Sequence, residues 1–178
     1  MIQDRQSYAQ AWGDDNIIRF PRDQWIEKFT APLRSYPDVD FIPIELSVVF
    51  TSFLQGRFDL YSVINLDLGP QRALTLVVIG AVPADRDNTL FCLDSGSGQV
   101  LMLGVTGGTL EPVNASFKQF TEFLYHFAVF VSQDSGIQGR AQRATALRTA
   151  LADIDPSAFA NPDTWWSVAF VKLEGRAA

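Results

Sequence analysis

A helix with a wide aromatic face constrains the fold of this chain more than any other feature of its sequence. From Ser116 to Val131, apolar side chains recur at the three- and four-residue spacing of one helical face. The stripe consists of Phe117, Phe120, Leu124, Phe127 and Val131, and it is widened by Phe123 and Phe130. Ser116 and Gln119 occupy the positions of a capping box, which predicts that the helix begins there. Because so broad a face needs a sheet to cover it, the sequence predicts a long aromatic helix packed on a sheet.

The strands expected to form that sheet are antiparallel. Two short apolar runs at 91–93 and 100–103 flank a Gly-Ser-Gly stretch, which predicts a β-hairpin. The stretch is not a dinucleotide-binding loop, because Leu101 occupies the position of the third glycine. The nearly continuous β-branched run at 74–82 predicts a central strand, and 60–66 predicts another.

Further helices are expected around this sheet. Residues 7–12, 22–29, 140–153 and 164–173 have helical patterns, and a short strand is expected at 17–20. The 178 residues suit one domain, and no repeat or long linker divides them. The predicted fold class is therefore α+β: a single domain over 1–178, with a twisted antiparallel sheet packed against the aromatic helix.

Residues 44–56 permit two interpretations. Alternating apolar residues at 44, 46, 48 and 50 are typical of a strand, whereas those at 46, 49, 50, 53 and 54 fit one face of a helix. Pro43 before the segment and Gly56 after it favour a helix. We therefore predict a helix here.

The charge of the chain is unevenly distributed. The net charge is −6, which argues against general nucleic-acid binding. Residues 1–94 contain 13 acidic and 8 basic side chains, whereas 95–178 contain 7 and 6. The acidic first half is explained either by solubility or by attraction of a basic partner. The first residues lack the apolar core of a signal peptide, and no apolar run is long enough to span a membrane, so a cytoplasmic location is expected.

Few residues are suited to catalysis or metal binding. Cys92 and His126 are the only residues of their kinds, so neither an intrachain disulfide nor a Cys/His zinc site can form. Cys92 lies within a predicted strand, and His126 lies off the apolar stripe of the helix. An inert cysteine is favoured over a nucleophilic Cys–His dyad. No cofactor and no metal are predicted.

Two acidic pairs are the candidate partner-binding residues. Asp38 and Asp40 form one pair, and Asp85 and Asp87 form the other, each in a predicted loop. Neither pair has the downstream glycine and glutamate of a calcium-binding loop. They are interpreted either as solvated loop acids or as part of a surface that binds a partner. Arginines 140, 143 and 148 are the one basic cluster, interpreted as a solvated helix face.

The hairpin and helix start resemble a known family. The Leu-Asp that ends one strand, the Gly-x-Val turn and the Val-Asn-x-Ser that opens the helix are similar to the SUKH superfamily of bacterial immunity-type proteins, especially its fourth subgroup. The matching positions are Leu93, Asp94, Gly98, Val100, Val113, Asn114, Ser116 and Phe120. Residues 42–56 and 165–175 match more loosely. The resemblance implies helices around a twisted antiparallel sheet, and a protein that neutralises a toxin, often a nuclease or deaminase, without catalysis.

Three functions therefore stay open at the level of sequence. The first is an immunity-type protein that binds a cognate toxin domain stoichiometrically, with no direct contact to nucleic acid or membrane. The second is a non-catalytic ligand- or peptide-binding module, or scaffold, of a regulatory complex. The third is an enzyme that uses Cys92 and His126, or the loop aspartates. The resemblance and the acidic first half favour the first.

Overall fold

A computed structural model describes residues 3–175. Its described part contains five α-helices: α1 (Arg5–Trp12), α2 (Arg22–Lys28), α3 (Phe117–Ser132), α4 (Arg140–Ile154) and α5 (Trp165–Leu173). The strands are β1 (Ile17–Arg19), β2 (Phe41–Pro43), β3 (Glu45–Leu46), β4 (Phe50–Thr51), β5 (Val63–Asp67), β6 (Ala73–Ala81), β7 (Thr89–Asp94), β8 (Val100–Gly104) and β9 (Thr109–Asn114). Three short 3₁₀ turns connect them, the last at Pro156–Phe159.

The predicted aromatic helix is confirmed as α3. The Ser116 hydroxyl accepts a hydrogen bond from the backbone N–H of Gln119, and the Gln119 side chain lies 2.9 Å from the same hydroxyl. The helix therefore begins where the capping box predicts. Seven of its residues are buried, namely Phe117, Phe120, Thr121, Phe123, Leu124, Phe127 and Ala128, whereas Val131, which was predicted to lie in the buried stripe, is 40% exposed.

The main sheet is antiparallel and curled. Its strands run in the order β3-β4-β6-β7-β8-β9, and β5 pairs with the first half of β6. β4 pairs with β6 only at the C-terminal end of β6, where Thr51 pairs with Ala81. A register shift between Val78 and Gly80 bends the long strand β6. β1 and β2 form a separate two-stranded ribbon. The predicted α+β fold class is confirmed.

Alternation along the strands divides the sheet into two apolar faces. One face packs on the helices and contributes Val77, Ile79, Phe91, Leu93, Val100 and Val113. The other face contributes Leu76, Val78, Leu90, Cys92, Leu101 and Leu103. Leu54 and Phe58, from the segment between β4 and β5, pack against this second cluster. Both faces of the central strands are thus covered, which explains why β6 is apolar at successive positions.

The helix predicted over 44–56 is wrong. The chain forms the two-residue strands β3 and β4, joined by a turn in which Ser47 has a positive φ of 48°. The Phe50 ring covers Gly80 so closely that a Cβ at Gly80 would lie 2.2 Å from it. Burial of Phe50 between β6 and α3 therefore selects the strand alternative, because tertiary packing overrides a weak local helix preference.

The helix predicted near the C-terminus is confirmed as α5. The Thr164 hydroxyl caps it by accepting a hydrogen bond from the Ser167 backbone N–H. Trp166 is buried, whereas the neighbouring Trp165 is only partly buried at the edge of the core. Because adjacent helical residues point about 100° apart, only one of the two indoles can be fully buried.

Candidate functional site

The first acidic pair is joined to three basic side chains. Asp38 is 59% exposed, and its Oδ2 lies 3.4 Å from Lys118 Nζ. Asp40 accepts hydrogen bonds from Arg5, at 2.8 Å, and from the Arg19 guanidinium. Asp38 is therefore largely available to a partner, whereas Asp40 holds α1 and β1 to the start of β2.

Electrostatics distinguish Asp40 further. Partial burial acts to raise the pKa of its carboxyl, but hydrogen bonds and charges from Arg19 and Arg5 outweigh that effect, so the pKa lies below its usual value. Asp40 is therefore ionised near neutral pH and already paired. A partner that bound this carboxylate would have to compete with two arginines.

In the second acidic pair, too, one aspartate is hydrogen-bonded within the fold and the other is exposed. Asp85 accepts hydrogen bonds from the Thr89 hydroxyl at 2.6 Å and from Asn88 Nδ2 at 3.2 Å. These bonds lower the pKa of Asp85 and close the turn that leads into β7. Asp87 is exposed and lies against Gly56. Within each pair, one aspartate thus supports a loop and the other faces solvent.

The fold places the two pairs at opposite ends of β7. Asp85 is bonded to Thr89, the first residue of that strand. Lys118, the partner of Asp38, lies at the start of α3, where the Phe117 N–H donates to the Gly98 carbonyl of the turn after β7. A six-residue strand is about 20 Å long. The structure therefore contains two separate acidic surfaces rather than one cluster.

Cys92 and His126 lie on different sides of the sheet. Cys92 is buried in the cluster on the face away from α3, and burial raises the pKa of its thiol to about 12. His126 lies on α3, half-buried beside the Tyr125 ring, and burial lowers its pKa. A nucleophilic thiolate needs a lowered thiol pKa and a base within hydrogen-bond reach, and this geometry provides neither.

The basic cluster on α4 is also engaged. Arg140 and Arg143 both bind the Asp134 carboxylate, at 2.6 and 2.9 Å. Arg148 lies over the Phe159 ring at 5.4 Å. Within residues 3–175, no group of three or more histidine, cysteine or acidic side chains is arranged to hold a metal ion. No helix in the same range is long and apolar enough to cross a membrane.

Comparison with known proteins identifies the family. A family profile described as SUKH-4 immunity protein matches residues 3–172. The chain belongs to this SUKH-4 family. The resemblance inferred from the hairpin and helix start is confirmed. No curated protein and no solved structure matches the chain.

In this SUKH-4 chain, the hairpin residues behind the resemblance maintain the fold. The buried Asp94 carboxylate accepts hydrogen bonds from the Gly96 N–H and the Ser97 hydroxyl, which closes the turn. Gly98 has a φ of +82°, and a Cβ there would lie 2.2 Å from Ser35 Oγ. Only glycine combines that backbone conformation with so close an approach. The turn is therefore a structural element.

A buried polar network joins the start of α3 to the C-terminal helices of the SUKH-4 domain. Asp155 Oδ2 accepts hydrogen bonds from Asn114 Nδ2, at 3.0 Å, and from the Ala115 N–H, at 2.8 Å. Asn114 Oδ1 in turn accepts from Trp166 Nε1 at 2.9 Å. In the sequence, Asn114 stands out only as part of the Val-Asn-x-Ser stretch that opens the helix. Its partners lie 41 and 52 residues away, so local spacing could not reveal this role.

Proposed function

We propose that this chain neutralises a toxin domain by stoichiometric binding in the cytoplasm, and not by catalysis. The single observation that carries the proposal is the SUKH-4 immunity protein match over 3–172. The buried Cys92, separated by the sheet from His126, agrees with a role in which the chain does no chemistry. The cognate toxin would be a nuclease or deaminase with a basic substrate-binding surface.

The charge distribution supports a basic partner. An enzyme that binds nucleic acid presents lysine and arginine where phosphates bind. A protein of net charge −6 is attracted to such a surface, and this attraction accelerates association. The exposed Asp38 and Asp87 place negative charge at both ends of β7.

Co-expression tests the proposal directly. The gene beside this one is expected to encode a large secreted protein with a C-terminal toxin domain. Expression of that domain alone should arrest a bacterial host, and co-expression of this chain should restore growth. A toxin domain from an unrelated locus is the control and should not be neutralised. Failure to protect against any neighbouring toxin would contradict the proposal.

The acidic surfaces should affect the rate of binding. Replacing Asp38 and Asp87 with asparagine should slow association with the inactivated toxin domain by about 3- to 10-fold at low salt, because rim charges steer encounter. It should also flatten the dependence of the association rate on ionic strength. Stopped-flow measurements between about 20 and about 300 mM salt, a range over which the Debye length shortens several-fold, would check both predictions.

A matched control separates local from overall charge. Asp14 and Asp15 are exposed in the turn before β1, and their change to asparagine alters the net charge by the same amount. If this control slows association as much as the Asp38 and Asp87 variant, the proposed acidic contact surfaces are wrong. Testing Asp38→Asn and Asp87→Asn separately shows which end of β7 faces the partner.

A further inference from the structure

Within residues 3–175, the curled sheet has three edges, and two of them are protected. At β3, the Asn16 side chain binds both the Glu45 N–H and the Glu45 carbonyl. At β9, Pro112 removes one N–H from the strand. Natural sheets block their edges by such means, because an open row of backbone groups pairs readily with another chain.

The third edge, β5, has neither kind of protection. Its sequence, Val-Ile-Asn-Leu-Asp, contains no proline, glycine or lysine. β5 pairs only with β6 among the strands of residues 3–175. It is therefore the one edge of the main sheet, within that range, that is open along a whole five-residue strand.

The register shows which backbone groups of β5 face outward. The Leu68 N–H donates to the Arg72 carbonyl, and the Val78 N–H donates to the Ser62 carbonyl, so positions 62 and 68 bond toward β6. Bonding alternates along an antiparallel ladder, so Ile64 and Leu66 also bond toward β6. The N–H and C=O groups of residues 63, 65 and 67 consequently point away from the sheet.

The side chains of β5 define what an added strand would meet. Ile64 and Leu66 are half-buried against the second apolar cluster, so an added strand would extend that apolar face. On the opposite face, Val63 is 48% exposed, and Asn65 and Asp67 are also exposed. A strand that fits would therefore alternate apolar and polar residues, with a basic residue opposite Asp67.

We infer that the outer edge of β5 is a docking site for an extended segment of the toxin, which joins the sheet as an additional strand. This inference rests on the proposed function, and it names the surface through which neutralisation occurs. Main-chain hydrogen bonds to residues 63, 65 and 67 provide affinity, and the basic residue opposite Asp67 provides specificity.

A second copy of this chain fits the edge less well. A two-fold antiparallel pair of β5 strands centred on Asn65 places Val63 opposite Asp67 twice, so an apolar side chain meets a carboxylate on both sides. Centring the pair on Asp67 places two carboxylates opposite each other. A basic partner strand avoids both mismatches.

A proline at position 65 tests the inference. Asn65→Pro removes one outward N–H while leaving the ladder with β6 intact. Asn65→Ala is the matched control, because both variants lose the hydrogen bond from Thr75 Oγ1 to Asn65 Oδ1, but only the proline loses the N–H. With the inactivated toxin domain of the neighbouring gene as probe, Asn65→Pro should weaken binding about 10- to 100-fold, and Asn65→Ala less than about 3-fold.

Hydrogen exchange on the unaltered protein provides a readout that does not depend on any variant folding. The amides of residues 63, 65 and 67 should exchange rapidly in the free chain and become protected when the toxin domain binds. Binding with these amides unprotected and Asn65→Pro unaffected would overturn the docking site and leave the proposed function standing. Protection of the same amides in a self-associated free chain would assign the edge to a second copy. Absence of any toxin binding by the unaltered chain would overturn both proposals.

Discussion

Replacing Phe120 with alanine should reduce the free energy of unfolding by about 3–5 kcal/mol. The Phe120 ring is fully buried between the sheet and α3, with its centroid 5.2 Å from that of Phe91 and 5.9 Å from that of Phe50. Three aromatic rings from three different elements meet here, so the surrounding structure cannot easily collapse into the space that the ring leaves. Phe127, buried against Trp166, should show a loss of similar size.

Glu122 on the same helix provides the control. Glu122 is half-buried, and desolvation raises the pKa of its carboxyl. A carboxyl whose pKa is raised in the folded state contributes stability that is fully present below its unfolded pKa and is lost as the pH rises through its folded pKa. At pH 7, Glu122→Ala should therefore change stability by less than about 0.5 kcal/mol or raise it slightly. Equal effects of the three substitutions in urea unfolding would mean that a different face of α3 is buried.

The elements that the sequence predicted well are those specified by local signals. α3 has a capping box and an apolar stripe over four turns, and the 74–82 run has too many β-branched residues for a helix. The prediction for residues 44–56 was wrong because the segment has both a strand-like alternation and a helix-like apolar face, and the flanking Pro43 and Gly56 favoured the helix. What decides their structure is the contact of Phe50 with Gly80, thirty residues away, which no local pattern specifies.

The candidate surfaces were predictable only in part. Acidic residues in loops are generally exposed, and this expectation holds for Asp38 and Asp87. The engagement of Asp40 with Arg5 and Arg19 depends on the way α1 and β1 pack beside β2, so sequence spacing does not reveal it. The open edge of β5 is likewise a property of strand order. A strand of this composition would not suggest a binding site if it lay between two other strands. β5 is a candidate docking site only because, among the described strands, it has a neighbour on one side and not on the other.

Removal of the Asp155 carboxylate is the second substitution expected to have a large effect. Asp155 is 1% exposed. Its Oδ1 accepts from the Ser157 hydroxyl and N–H, and its Oδ2 accepts from Asn114 Nδ2 and the Ala115 N–H. In Asp155→Ala, the buried Asn114 amide loses its acceptor, and a buried unsatisfied donor costs about 1–3 kcal/mol, whereas the donors of the exposed Ala115 and Ser157 can bind water instead. Asn114 also loses the bond that orients its amide toward Trp166.

We therefore expect Asp155→Ala to reduce the free energy of unfolding by about 1–3 kcal/mol, as measured by urea titration. Asp153→Ala is the control, because Asp153 is exposed two residues earlier on α4 and should cost less than about 0.5 kcal/mol. Asp155→Asn should have an intermediate effect, because its one carbonyl oxygen can serve only one of the two pairs of donors. Near-equal stabilities of the two alanine variants would show that water replaces the carboxylate, and that packing rather than this network holds α4 and α5 to the start of α3.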